Sequence, residues 1–271
     1  MKKQVKLKIL FLSIIIGITV SIISVNFQQT TIQVENVAQS NIPRAAIIDQ
    51  LHNDKPNLNY QNNVTEYLTT AGYDVDLYTT DDITVDFYKK LPSMNYKFIV
   101  FRTHSLGVGT VEESASLFTG ELYSKDRYLN EQFSGNVGMG VPYLPEEVDE
   151  IGGFGALRDE TYFVVGSRLV DNLMIGTFPQ SIIVLGGCET LEGTILANSL
   201  LARGASEIIG WNGLVTAAKN DKDTMALLKE TLVNGIEIEN AIPLVMQEYD
   251  DMLRTPATLK HYSSGASDFN G

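Results

Sequence analysis

Tyr96-Lys97-Phe98-Ile99-Val100-Phe101-Arg102-Thr103-His104 is an apolar run that ends on an imidazole. Its four central residues are consecutive, bulky and β-favouring, the pattern of a strand covered on both faces and so of a parallel sheet sandwiched by helices. Ser181-Ile182-Ile183-Val184-Leu185-Gly186-Gly187-Cys188 has the same form and ends on the chain's single cysteine. Outward from these two runs, residues 45–48 read as a third buried strand ending at Asp49. Residues 59–70 read as a helix closed by Gly72, 73–78 as a strand, and 83–91 as a short helix stopped by Pro92. This β-α-β-α-β order predicts right-handed crossovers, an α/β fold whose mostly parallel sheet has helices on both faces, and active groups at the carboxyl ends of the strands.

Beyond Cys188, residues 191–202 read as a helix with Gly204 past its end, 206–211 as a strand, and 221–233 and 238–254 as further helices. Structureless loops of more than about 15 residues are uncommon. The long stretch between His104 and Gln180 is therefore expected to be an insertion, about 106–180, of hairpins with a helix around 164–174.

The chain has 271 residues, of which 44% are hydrophobic, enough to bury a core. It carries 20 Lys and Arg against 33 Asp and Glu. Lys2, Lys3, Lys6 and Lys8 all precede residue 25, where there is no acid, so the body is strongly anionic. An anionic body without a basic stripe repels phosphate backbones and excludes nucleic acid as a partner. One cysteine excludes an internal disulfide, a multi-cysteine zinc site and a C-x-x-C redox pair. With no G-x-G-x-x-G and no phosphate loop, no cofactor or metal is implied.

Behind the four lysines, residues 9–25 are apolar on every helical face, a membrane-targeting segment. The lysines place the amino terminus inside and the body outside. Because no small-x-small cleavage site follows directly, residues 1–25 read as an anchor in preference to a cleaved signal segment that would leave a secreted form. Residues 26–43 read as a tether and 44–271 as the domain.

The informative coincidence is that two apolar strands end in His104 and Cys188. A nucleophilic thiol needs a proton acceptor or a cationic neighbour, and a helix expected just after Cys188 would lower its pKa further. Gly187 leaves room beside the sulfur. His52, in the first βα loop, and His261, in a polar tail, read as solvated surface groups.

The blocks FIVFRTHS and SIIVLGGC, with the following LEGTILANSLLARGASEIIGWNGLVT, resemble the caspase-like cysteine peptidases of clan CD. That family includes caspases, legumain, clostripain, gingipains and separase. Ser105 stands where the family has glycine after the histidine, and Gly-Gly-Cys188-Glu-Thr differs from the caspase signature, so a clostripain-like or gingipain-like relative fits better than a caspase. The resemblance implies a protein or peptide substrate and a Cys188–His104 dyad that forms an acyl-enzyme. It also implies an oxyanion hole from the backbone N–H groups of Cys188 and Ser105, and an S1 pocket lined from the first βα loop, with Asp49 and Asp54, and from the strand after the helix, with Trp211 and Asn212. An acid in that pocket would select Lys or Arg at P1. The exposed Ser124-Lys125-Asp126-Arg127 would then be a site of self-processing. The alternative is a non-catalytic caspase-like ectodomain that binds a protein or peptide, with Cys188 and His104 kept for packing.

Overall fold

Six strands form the main sheet of the computed structural model, which describes residues 42–107, 115–142, 160–246 and 257–265. They are β1 (Arg44–Asp49), β2 (Asp74–Thr79), β3 (Tyr96–Arg102), β8 (Ile182–Gly186), β9 (Glu207–Trp211) and β10 (Leu259–Ser263), in the spatial order β10-β9-β8-β3-β1-β2. All neighbours run parallel except β9 and β10. The insertion contributes β4 (Ser105–Leu106), β5 (Ser116–Leu122), β6 (Gly138–Gly140) and β7 (Tyr162–Val165), an antiparallel sheet ordered β4-β5-β7-β6. The fold is mixed α/β with a mostly parallel main sheet.

Seven α-helices are described: α1 (Leu58–Thr70), α2 (Val85–Lys90), α3 (Leu129–Phe133), α4 (Ser167–Asn172), α5 (Ile195–Ala202), α6 (Ala217–Leu228) and α7 (Ile238–Val245). Strand side chains alternate between faces, so each apolar run feeds two cores. Ala45, Ile47, Phe98, Val100, Val184 and Ile209 pack with Tyr60, Val64 and Leu68 of α1 and with Leu227 of α6. Ala46, Ile48, Ile99, Phe101, Ile183 and Leu185 pack with Tyr88 of α2, Leu169 of α4 and Leu196 of α5. Helices therefore cover both faces, as the consecutive apolar residues of β1 and β3 require.

Local chemistry sets the helix starts. Asn57 Oδ1 accepts from Tyr60 N–H at 3.0 Å, Thr84 Oγ1 from Phe87 N–H at 3.0 Å, and Thr216 Oγ1 from Lys219 N–H at 3.2 Å. Each such cap contributes about 1 kcal/mol to its helix.

Several expectations are corrected. The helix after Cys188 starts at Ile195 and not at 191, because Leu191 N–H donates to Trp211 carbonyl and Thr190 Oγ1 to Leu185 carbonyl, which hold the intervening residues in turns. The helix placed at 221–233 starts at Ala217 under the Thr216 cap and ends in one π-helical turn, Lys229–Val233. The polar tail around His261 is the antiparallel edge strand β10, where His261 Nε2 lies 3.0 Å from Glu207 Oε2. As expected, Lys125, Asp126 and Arg127 are exposed, in the turn between β5 and α3, where Arg127 pairs with Glu121 and its N–H donates to Ser124 carbonyl. The segment 9–25, the tether up to 41 and the expected helix beyond 246 lie outside the described residues. Within them, no helix is long and apolar enough to cross a membrane.

Candidate active site

β3 and β8 are parallel neighbours, with Phe98 opposite Ile182 and Arg102 opposite Gly186. The chain leaves both in step, Thr103 N–H donating to Gly186 carbonyl at 2.9 Å. His104 and Cys188, each two residues past the last pair, consequently line one cavity of about 160 Å³.

The His104 side chain is 10% exposed. Its backbone is placed by Gln50, whose Oε1 accepts from His104 N–H at 2.9 Å, and its ring meets Phe118 edge-on at 5.9 Å. Among the described residues Nε2 is buried with no hydrogen-bond partner, and Asp54 Oδ2 stands 3.6 Å away. That separation is too long for a good hydrogen bond.

Cys188 is half-buried. Its Sγ donates to Val215 carbonyl at 3.1 Å and accepts from Val215 N–H at 3.5 Å. Both contacts come from Val215, so the segment after β9 fixes the position of the sulfur. α5 begins seven residues later, and its amino terminus does not serve Cys188 as the sequence suggests.

Three close approaches fix the strand ends. A Cβ on Gly186 would lie 2.4 Å from Phe101 carbonyl oxygen, and one on Gly187 2.6 Å from Thr103 carbonyl oxygen. These glycines therefore admit the neighbouring backbone before they admit a substrate. Ser105 Oγ donates to Cys188 carbonyl, so this side chain bridges the two strand ends.

Glu189, next to Cys188, was not singled out by the sequence. It adopts φ 54°, a left-handed conformation unusual for a residue with a side chain and costing about 1–3 kcal/mol. Its N–H donates to Gly213 carbonyl at 2.9 Å, which holds it there. Glu189 lines the cavity together with Gly107, and a Cβ on Gly107 would come within 2.1 Å of its Oε2. Burial pushes this carboxyl's pKa up, the Glu192 charge adds to that, and the Gly107 N–H opposes both.

Beneath the site, Arg102 is 1% exposed and locks three segments together. It donates from Nη1 to Asp49 Oδ1 at 2.8 Å, from Nε to Asp221 Oδ1 at 2.7 Å, and from Nη2 to Lys55 carbonyl at 2.7 Å. Asp49 Oδ2 accepts from Gln61 Nε2 at 2.7 Å, and the same amide reaches His52 Nδ1 at 2.8 Å, so His52 is a bound group and not a solvated one.

The expected residues thus divide. His104, Ser105, Gly187 and Cys188 share the cavity. Asp54 faces His104. Asp49 is enclosed and neutralised by Arg102, which leaves it no free charge for a basic side chain. Trp211 is fully buried on the α1/α6 side, its Nε1 donating to Asn220 Oδ1 at 2.9 Å, and is core instead of pocket rim. Asn212 is turned toward the β10 side, its Oδ1 accepting from Thr258 N–H at 2.7 Å. Among the described residues neither Asp49, Trp211 nor Asn212 lines the cavity. Gln50, Val215, Asn220 and Glu189 were missed. Only Glu189 carried a signal, its adjacency to the cysteine.

Among the described residues no group of three or more His, Cys, Asp or Glu side chains is placed to hold a metal ion. Compared with known families and curated proteins, the chain matches no family model and no curated protein.

Proposed function

We propose that the chain is a cysteine endopeptidase with a caspase-like arrangement, its body outside the cytoplasm and either anchored through residues 9–25 or secreted. The observation that carries this reading is the shared cavity of His104 and Cys188 at equivalent heights beyond two adjacent parallel strands. The strained Glu189 directly after the cysteine supports it, since such conformations cluster at functional sites. The insertion forms an antiparallel sheet of its own.

In the proposed reaction the Cys188 thiol proton passes to His104, and the sulfur attacks the scissile carbonyl carbon. The tetrahedral oxyanion is stabilised by backbone N–H groups at Cys188 and Ser105. Collapse breaks the C–N bond, His104 protonates the leaving amine, and a thioester remains. Water then attacks the thioester as His104 takes its proton, which releases the carboxyl product and restores the thiol. Since Nε2 faces Asp54, Nδ1 is the nitrogen that handles these protons, and Asp54 steadies the imidazolium.

A second reading, a non-catalytic ectodomain that binds a protein or peptide, is favoured by the bonds between Cys188 Sγ and Val215. One experiment separates the two. Full-length protein in detergent is presented with a peptide library, beside its Cys188→Ala and His104→Ala variants. The enzyme reading expects cleavage abolished by the first and lowered about 10²–10⁴-fold by the second. Cleavage that survives Cys188→Ala, or a wild-type chain that cuts nothing and resists iodoacetamide at neutral pH, rejects it.

A further inference from the structure

We propose that Glu189 is the specificity-determining residue of this cavity and that it selects a lysine side chain at P1, in preference to both arginine and neutral side chains. The proposal rests on the peptidase reading above. It replaces Asp49 and Asp54, whose charges are directed at Arg102 and His104.

Among the described residues lining the cavity, Glu189 is the one acid and there is no lysine or arginine. Leu51, Leu106, Leu214, Val215 and Ala217 form apolar walls. A side chain that fills such a space must be apolar along its stem and cationic at its tip, which describes a four-carbon ammonium chain. The space of about 160 Å³ is lined by His104 and Cys188 as well as by Glu189, so the same cavity combines a reactive centre with a charged anchor. A carboxylate destabilised by burial and by a like charge gains more from a cation than a solvated one does, and Glu189 is in that condition.

The choice of lysine over arginine follows from what already occupies the carboxyl. Gly107 N–H donates to it, and Oε2 is packed on the Gly107 backbone. A guanidinium binds best through two parallel bonds to both oxygens, whereas an ammonium is a point charge satisfied by the remaining lone pairs. One occupied oxygen therefore costs arginine its advantage.

The test uses full-length protein in detergent and peptidyl acyloxymethyl ketones that differ only at P1: lysine, arginine, norleucine or aspartate. The rate of adduct formation on Cys188 is followed by intact mass. Norleucine keeps the stem and removes the charge. The lysine probe is expected to label about ten-fold or more faster than norleucine, the energy of one charge-assisted hydrogen bond, and several-fold faster than arginine. In Glu189→Gln the lysine-to-norleucine ratio falls toward one. Equal rates for lysine and norleucine in the wild type, faster labelling by arginine or aspartate, or a ratio unchanged in Glu189→Gln overturns the assignment while labelling itself keeps the peptidase reading. Should no probe label a Cys188 that iodoacetamide alkylates, both readings fall.

Discussion

His104 and Cys188 stand in register: every pair from Phe98↔Ile182 to Arg102↔Gly186 is separated by the same 84 residues, and so are the imidazole and the thiol two positions further on. Because both strands end together and Thr103 N–H still bonds to Gly186 carbonyl, the two side chains leave adjacent strand ends, His104 on the short link to β4 and Cys188 in the turn after β8. A site built on strand ends inherits the precision of the sheet.

In the proposed mechanism Asp54 acts on catalysis only through the histidine. Asp54→Asn keeps the shape but removes the charge 3.6 Å from His104 Nε2. Peptide hydrolysis is expected to fall about ten-fold, roughly 1.4 kcal/mol of transition-state stabilisation, with kcat reduced and KM little changed. An unaltered kcat would remove Asp54 from the mechanism.

Gly186 and Gly187 are needed for backbone approach. Alanine at either position drives a Cβ against the Phe101 or Thr103 carbonyl oxygen, which should cost about 1–3 kcal/mol. Urea denaturation of each variant measures this. Wild-type stability in Gly187→Ala would show that the strand ends can spread without penalty.

Arg102→Met leaves Asp49 and Asp221 buried without their counter-charge. Breaking such a cluster is expected to lower stability by about 3–5 kcal/mol, read from the denaturation midpoint. The triple variant Arg102→Met, Asp49→Asn, Asp221→Asn should recover much of the loss, because no uncompensated charge then remains. If the single variant matches wild type, the cluster does not brace the site.

Glu189 also gives a pH signature. Its folded-state pKa is raised above the ordinary carboxylate value of 4.5 by burial and by Glu192. The folded protein thus binds more protons than the unfolded chain just above that value, and this group's contribution to stability declines as pH rises through the window. Glu189→Gln removes the decline. The Tm difference between Glu189→Gln and wild type should therefore move in favour of the variant as pH increases from about 4.5, as differential scanning would record. A constant difference across that range would contradict the buried placement of the carboxyl.

For location, the proposed anchor predicts that the full chain stays with membranes after carbonate washing and is digested by protease added outside intact cells. Recovery of a soluble form beginning near residues 26–41 would replace the anchor with a cleaved signal segment.

The main sheet was legible in the sequence because its strands are covered on both faces. Consecutive apolar residues in 45–48, 98–101 and 182–185 have no other economical use, and Gly72, Pro92 and Gly204 mark where helices stop. Strand-end placement likewise singled out His104 and Cys188, since position at the end of a buried run depends on order along the chain alone. What the sequence left undetermined are contacts between segments distant in order. That Asp49 is spent on Arg102, that Asp54 turns to His104, that Ser105 bridges to Cys188 and that Trp211 is core are outcomes of packing. A carboxylate reads the same in a sequence whether it meets solvent, a guanidinium or an imidazole. Only the tertiary structure brings Gly107 against Glu189 and so places an acid in the cavity, because that contact joins the ends of two strands 84 residues apart.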